Sequence, residues 1–339
     1  MAEDVVDTDT PATVLSGPSA LPHGRVPRRR AFTGGAETLL LPEDVQWARQ
    51  LRATTRAAGG ALDMVLPLRV GGGSPPLFCA PPVVGLSWSY SALLPHIPAE
   101  QPLYGLQTSR GLQRPEPLPA SMAELVADLA DQLRIVQPSG PYHLLGWSLG
   151  GIIALALAEE LQRRGEQLRL LVILDAVPVI RDGMPVVPHG PSPDTDDRWF
   201  LYNFVLAEFG YRPTLTAQDA EPEARMLELV RRRPGLGLDE WPDQRVLALL
   251  RVIRNNVALA RAYRPGRVDC PLLFCAARNP PRLEVKLARW QLVVTGPVDV
   301  MEVDCLHNHM MLTEPAARIG AAITTMLADQ ACERPMLAQ

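Results

Sequence analysis

The sequence lacks the features that mark membrane, secreted and nucleic-acid-binding proteins. No run approaches the ~18 apolar residues of a membrane span, and the acidic start, Met1 to Asp4, is unlike a basic, apolar secretory signal. The 33 Lys and Arg residues against 37 Asp and Glu give a net charge of −4, which argues against a dominant nucleic-acid surface or a polybasic membrane patch. We therefore expect a cytoplasmic protein with neither nucleic-acid nor membrane partners.

The sequence also has little cysteine, and its cysteines lack the spacing of a metal site. There are five of them, an odd number, and several lie in apolar strand patterns. We expect buried, reduced thiols rather than disulfides or metal ligands, and we expect no bound metal.

The most informative segment that is present runs from Gly146 to Gly151 and reads Gly-Trp-Ser-Leu-Gly-Gly. A short apolar strand pattern precedes it, and a buried helix pattern follows it to Leu161. The bare G-x-S-x-G motif arises by chance, but between a strand and a helix it predicts Ser148 on a sharp turn as a nucleophile.

From residue 61 to about 330, strand patterns alternate with helix patterns, which predicts an α/β domain with a mostly parallel sheet and helices on both faces. Residues 1–60 are predicted as a flexible linker or tail with one helix over 42–58, and residues 331–339 as a C-terminal tail. The alternation stops between about 177 and 267, where helical segments with proline-rich joints predict a lid. A small helical subdomain that only adds core is the alternative. The predicted strands are 64–70, 77–80, 103–106, 142–145, 168–174, 271–275 and 298–303, and the predicted helices are 122–137, 152–161, 199–209, 223–232, 245–263 and 314–330.

A serine nucleophile needs a base within hydrogen-bonding reach and a third group that orients the base. In this fold type the acid and the histidine follow the serine, each at the loop end of a strand. The apolar strand Leu170–Leu174 ends directly in Asp175, the predicted acid, although a helix-cap or turn aspartate would read the same way. The next strand end, 275–279, offers no acid.

The predicted base is His307. His23, His96 and His143 precede the serine, and His189 lies in the predicted lid, so the candidates are His307 and His309, just after the last strand. His307 is closer to the strand end, and His309 remains the alternative.

Two backbone N–H groups are predicted to stabilise the developing oxyanion. One belongs to Leu149, the residue after the nucleophile. The other belongs to Val83 in the loop Pro81–Gly85, because proline has no N–H and neither Pro81 nor Pro82 can donate. A rigid turn without a catalytic role is the alternative for this loop.

Together these residues resemble the type I thioesterase domains of nonribosomal peptide synthetases, within the α/β-hydrolase superfamily. The resemblance covers about 66–327, and the ending Asp-Cys-x-His at 304–307 is most similar to siderophore synthetases of the enterobactin type, which favours His307. It implies that Ser148 takes an acyl or peptidyl chain from the 4′-phosphopantetheine arm of a carrier domain, with no cofactor bound directly. Release then follows by hydrolysis or macrocyclisation.

The sequence departs from this family at the oxyanion loop, which often reads His-Pro-Ala-Gly-Gly and here carries bulkier valines at 83 and 84. No Gly-x-Ser carrier signature precedes the domain, so we expect an excised or free-standing release domain. A stand-alone type II editing thioesterase or esterase is the enzymatic alternative, although type II enzymes commonly take their acid from the later strand. The non-enzymatic alternative is an inactive hydrolase fold that docks a carrier domain.

Overall fold

A computed structural model describes residues 64–108, 112, 117–178, 202–203, 205–206, 211, 215–216, 218–232, 238–278 and 282–332. The predicted N-terminal linker and its helix at 42–58 lie outside these residues, as do most of the proposed helix at 199–209 and positions 333–339.

The described residues form one seven-stranded sheet in the order β1-β3-β2-β4-β5-β6-β7. Strand β1 pairs with β3 antiparallel, and the remaining neighbours are parallel, so the prediction of a mostly parallel sheet is confirmed. The strands are β1 (Val65–Arg69), β2 (Leu77–Ala80), β3 (Leu103–Leu106), β4 (Tyr142–Trp147), β5 (Leu168–Leu174), β6 (Leu272–Ala277) and β7 (Val298–Val303).

Six α-helices lie within the part of the chain that the structure describes, and five of them match predicted helices to within three residues at each end. A nine-residue helix and a 3-10 helix, Trp88–His96, were not predicted, because such short elements show too little of the helical period. The α-helices are α1 (Met122–Val136), α2 (Leu149–Arg163), α3 (Pro222–Arg231), α4 (Asp243–Ala262), α5 (Leu283–Gln291) and α6 (Thr313–Cys332).

Helices cover both faces of the sheet, which explains why β5 is apolar almost throughout. On one face, side chains of β4, β5 and β6 pack in a single cluster with α1, α2, the end of α4 and α5. On the other face, alternate residues of the same strands pack against the 3-10 helix and α6. The side chains of Cys79, Cys270 and Cys275 are buried free thiols, as expected, whereas the free thiol of Cys305 is only half-buried.

The segment between β5 and β6 packs in a further hydrophobic cluster, which also includes Leu66 of β1. Residues of α3 and the first half of α4 pack there against Leu86 and Trp88, which follow β2. Helix α4 joins this cluster to the sheet, because Val252 and Ile253 belong to the separate cluster whereas Leu259 packs against the sheet. The segment therefore lies against the loop that follows β2.

Parallel pairing places the carboxyl ends of β2, β4, β5, β6 and β7 along one edge of the sheet. Open α/β sheets bind ligands at this edge. No helix among the described residues has the length and apolarity to cross a membrane.

Candidate active site

Ser148 lies between β4 and α2 with φ 57° and ψ −129°. A positive φ is strained for a residue with a side chain, and it makes the sharp turn that the motif predicts. The N–H of Ser148 donates to the carbonyl of Leu174 at 3.0 Å, which fixes the turn to the end of β5. The strain is therefore held by the sheet on which the turn is built.

The two glycines of the motif are required by close packing. A Cβ on Gly146 would overlap the carbonyl of Gly150 in the first turn of α2. A Cβ on Gly150 would lie 2.9 Å from the carbonyl oxygen of Ala80 and 3.0 Å from that of Pro81. The start of α2 is thus in direct contact with the end of β2 and its following loop.

The structure brings Ser148, His307 and Asp175 into one hydrogen-bonded chain. The Nε2 atom of His307 lies 2.9 Å from Oγ of Ser148, and its Nδ1 atom lies 2.8 Å from Oδ2 of Asp175. His309 lies in the same short 3-10 helix, where its backbone N–H donates to Leu306. Such an arrangement can remove the proton of a serine hydroxyl during attack on a carbonyl carbon.

The indole of Trp147 fixes the loop that carries His307. Its Nε1–H donates to the carbonyl oxygen of His307 at 3.2 Å, and the two rings lie 5.9 Å apart between centroids. The residue that precedes Ser148 therefore also positions the imidazole.

Asp175 directly follows β5 and is buried, with 3 % of its side chain exposed against 37 % for His307. Like Ser148 it has a positive φ, 45°. Burial raises its pKa, but the hydrogen bonds and charges of His307 and Lys286 outweigh burial and hold the pKa below its usual value. Asp175 is therefore an ionised carboxylate at neutral pH.

Lys286, on α5, is a residue of this network that the sequence reasoning missed. Its ammonium donates to Oδ1 of Asp175 at 2.7 Å, and the backbone N–H of Ala277 donates to the same oxygen at 3.2 Å. The available signal was compositional, because Lys286 is the only lysine in the sequence.

The proposed oxyanion donors lie on the two segments that meet at Gly150. Leu149 is the first residue of α2, and the first N–H groups of a helix have no partner within it. The positive end of the helix dipole also favours an anion here. Val83 lies in a turn that Gly85 closes with a 2.8 Å bond to Pro82, and its carbonyl accepts a hydrogen bond from the side chain of Asn256.

The hydroxyl of Tyr90 joins the same two segments. It donates to the carbonyl oxygen of Ala80 at 2.8 Å and accepts from the N–H of Trp147 at 2.9 Å. Tyr90 is completely buried, so these bonds are shielded from water. They continue the pairing of β2 and β4 beyond the last ladder pair, Ala80 and Gly146.

The thiol of Cys305 is the other nucleophilic group near Asp175. Burial and then the charge of Asp175 raise its pKa to about 11, so it is protonated at neutral pH. Across the described ranges, no cluster of three or more His, Cys, Asp or Glu side chains could hold a metal ion.

Comparisons with known proteins agree with this fold. The thioesterase domain family matches residues 75–323. A dimodular nonribosomal peptide synthase of Bacillus subtilis (strain 168) is 35% identical over 271 residues, which cover 79% of this chain and 11% of the synthase. Enterobactin synthase component F of Escherichia coli (strain K12) is 38% identical over 125 residues, or 37% of this chain and 9% of that protein.

A solved structure of the Vlm2 thioesterase domain, bound with a dodecadepsipeptide, matches with a TM-score of 0.58 at 19% identity. The match covers 77% of this chain and 97% of that domain, and it supports the α/β-hydrolase fold. This chain spans about a tenth of the length of each of these two synthases. The chain belongs to the thioesterase domain family and has the α/β-hydrolase fold.

Proposed function

We propose that this domain is a chain-terminating serine thioesterase in which Ser148 is the nucleophile, His307 the general base and Asp175 the group that orients His307. One observation carries the proposal: the unbroken chain of two hydrogen bonds, 2.9 and 2.8 Å, from Ser148 through His307 to Asp175. The strained backbone of Ser148 supports it, since strain of this kind concentrates at functional sites.

In the first half-reaction, Oγ of Ser148 attacks the thioester carbonyl while Nε2 of His307 takes the hydroxyl proton. The N–H groups of Leu149 and Val83 stabilise the oxyanion of the tetrahedral intermediate. When the intermediate collapses, the carbon–sulfur bond breaks and His307 returns the proton to the departing thiolate. The products are a free thiol and an ester on Ser148.

In the second half-reaction, His307 takes a proton from water or from a hydroxyl or amine of the bound chain, and that nucleophile attacks the ester. The proton then returns to Oγ of Ser148 as the ester bond breaks. Water gives a free acid, and an internal nucleophile gives a macrocycle. A pocket kept dry by the segment at 177–267 would favour cyclisation.

The proposed acyl donor is the phosphopantetheine arm of a carrier domain, which makes the carrier the partner of this domain. The two synthases named above support this, because peptide synthetases carry their chains as thioesters. We place the reaction in the cytoplasm, which suits the free thiols of the described cysteines. Because one of these relatives is an enterobactin synthase component, a siderophore precursor is the class of product to test first.

A peptidyl N-acetylcysteamine thioester, a short mimic of the pantetheine arm, tests the proposal. Ser148→Ala should lose at least ~10³-fold in kcat/KM while its thermal unfolding stays near that of the wild type. Unchanged turnover in this folded variant would refute Ser148 as the nucleophile.

Substrate length separates chain termination from the editing and esterase alternatives. Under the proposal, a long peptidyl thioester has a higher kcat/KM than an acetyl thioester or a simple ester. The opposite order would favour editing. An inactive docking fold would turn over none of the three.

A further inference from the structure

Lys286 is a buried cation in a chain that otherwise uses arginine. The sequence has 33 basic residues, of which 32 are arginine, and its one lysine lies on α5. Only 3 % of the Lys286 side chain is exposed. A buried ammonium is costly unless a charge partner and hydrogen bonds compensate for the lost water. The contacts of this side chain therefore decide what it does.

Those contacts tie Lys286 to the carboxylate that bonds His307. Its ammonium donates to Oδ1 of Asp175 at 2.7 Å and to the carbonyl oxygen of Ala277 at 3.1 Å. His307 takes the other oxygen, Oδ2, at 2.8 Å. Each carboxylate oxygen thus has its own cationic or ring N–H partner, and rotation of the carboxylate would break both bonds.

The ammonium also opposes the electrostatic effect of Asp175 on His307. A carboxylate beside an imidazole favours the protonated ring, which cannot act as a base. An ammonium on the far side of the carboxylate reduces that effect.

We propose that Lys286 is a positioning residue for the acyl transfer, which holds Oδ2 of Asp175 toward His307 and offsets the carboxylate charge so that the base works at lower pH. The inference rests on the proposed function and deepens it. Within the described part of the chain, the titratable groups of this network are Asp175 from the end of β5, Lys286 from α5, and Cys305 and His307 from the segment after β7, with the Ser148 hydroxyl bonded to His307. The charges of Asp304, and of Glu314 and Arg318 on α6, also act on Cys305.

The role of Lys286 is tested by the rate at which a fluorophosphonate labels Ser148, measured as a function of pH. This rate reports only the attack by Ser148 and not the later release of an acyl group. Lys286→Met keeps an unbranched side chain but loses the charge. In this variant we expect the acidic limb of the rate profile to shift to higher pH by about one unit. The plateau rate should fall about tenfold as Asp175 loses its fixed orientation.

Two further variants separate the effect of the Lys286 charge from the effect of its packing and from the loss of any positive charge on α5. Lys286→Arg keeps the charge, so its acidic limb should stay at the wild-type pH even if its plateau rate falls. Arg289→Met removes one positive charge from the same helix and should leave both limb and plateau unchanged. If Lys286→Met lowers the labelling rate equally at every pH and leaves the acidic limb where it is, the inference is overturned. An equal shift of the acidic limb in Arg289→Met would overturn it too.

The proposed function fails in a different way from this inference. If Ser148→Ala is still labelled at the wild-type rate, the nucleophile is wrong. If labelling depends on Ser148 but Lys286→Met follows the wild-type profile, only the role of Lys286 is wrong.

A second measurement needs no substitution of Lys286. Protein grown with ε-¹³C lysine gives one lysine side-chain correlation by NMR, because the sequence has one lysine. Phosphonylation of Ser148 expels fluoride and replaces the hydroxyl proton that faces Nε2 of His307 with a phosphonyl group. The changed partner of His307 should shift this correlation, whereas Ser148→Ala treated with the same reagent should keep its original spectrum. An unshifted correlation in fully labelled wild-type protein would overturn the inference.

Discussion

The two halves of the candidate site are held by different parts of the molecule. Ser148, Asp175 and His307 follow β4, β5 and β7, so the sheet and its turns position them. The loop with Val83 follows β2, but the side chain that bonds the Val83 carbonyl is Asn256 of α4, at 3.1 Å. The triad side thus depends on the sheet, and the oxyanion side depends also on the segment between β5 and β6.

This difference separates the groups proposed to transfer protons from those proposed to bind the oxyanion. The bonds among Ser148, His307 and Asp175 link groups that follow strands of the central sheet. The Val83 loop is bonded to α4, whose first half packs mainly with α3 and the segment after β2. We therefore expect changes on the sheet side to affect chemistry and folding together, and changes on the α4 side to affect mainly the rate.

The largest effect is expected from Asp175→Asn. The amide would favour the wrong tautomer of His307, so kcat/KM should fall roughly 10⁴-fold. It would also remove the Asp175 carboxylate that pairs with the buried Lys286 ammonium, which should lower the free energy of unfolding by about 3 kcal/mol. Steady-state kinetics and urea unfolding measure the two effects.

The double variant Asp175→Asn/Lys286→Met is the matched control. Replacing the buried ammonium, which has lost its Asp175 carboxylate, should restore most of the stability and none of the activity. Full activity in the single variant would contradict the role given to Asp175, and equal instability of both variants would contradict a buried ion pair.

Lowering the pH should reduce the free energy of unfolding through His143, a buried residue of β4. Burial lowers the pKa of His143 to about 4, below the ~6.5 of an unfolded histidine. Between these values the unfolded chain binds the extra proton, so stability rises with pH. The free energy of unfolding should drop by about 2 kcal/mol from about pH 7 to about pH 5 through this group.

Urea unfolding at the two pH values checks this, with His143→Gln as the comparison. The variant should lose most of the pH dependence, whichever way its stability at neutral pH moves. An equally steep pH dependence in His143→Gln would assign the effect to other groups.

On the oxyanion side, Asn256→Ala should reduce kcat about tenfold, because the Val83 carbonyl loses its partner and the loop loses its fixed position. The neighbouring Asn255 is the matched control, since its side chain bonds the carbonyl of Pro119 at 3.0 Å, away from the loop. Asn255→Ala should keep wild-type kcat. Equal losses in the two variants would show that α4 acts only through general stability.

The smallest effect is expected from Tyr90→Phe, which removes the hydroxyl between Ala80 and Trp147. We expect a drop in kcat of about threefold, since the ladder of β2 and β4 still aligns the two segments. Tyr142→Phe removes a hydroxyl that bonds Gln137 at the other end of β4 and should not change kcat. A larger loss of kcat in Tyr142→Phe than in Tyr90→Phe would contradict the different roles given to the two ends of β4.

The elements that the sequence could predict are those with a strong period or a strong motif. The β4–Ser148–α2 unit and the apolar strand before Asp175 are local patterns, so their placement follows from parallel pairing alone. Lys286 could not be placed, because it reaches Asp175 across 111 residues from a helix too short to recognise. Asn256 was hidden in the same way, since its partner is a backbone carbonyl far away in the sequence.

Trapping the acyl-enzyme and mapping the modified residue by mass spectrometry tests the central claim most directly. The wild-type protein and His307→Ala would each be incubated briefly with a peptidyl N-acetylcysteamine thioester and digested. We predict the acyl mass on the peptide that contains Ser148 in the wild type, and its loss in His307→Ala. An acyl group on Cys305 or elsewhere, or equal acylation of Ser148 without His307, would contradict the account.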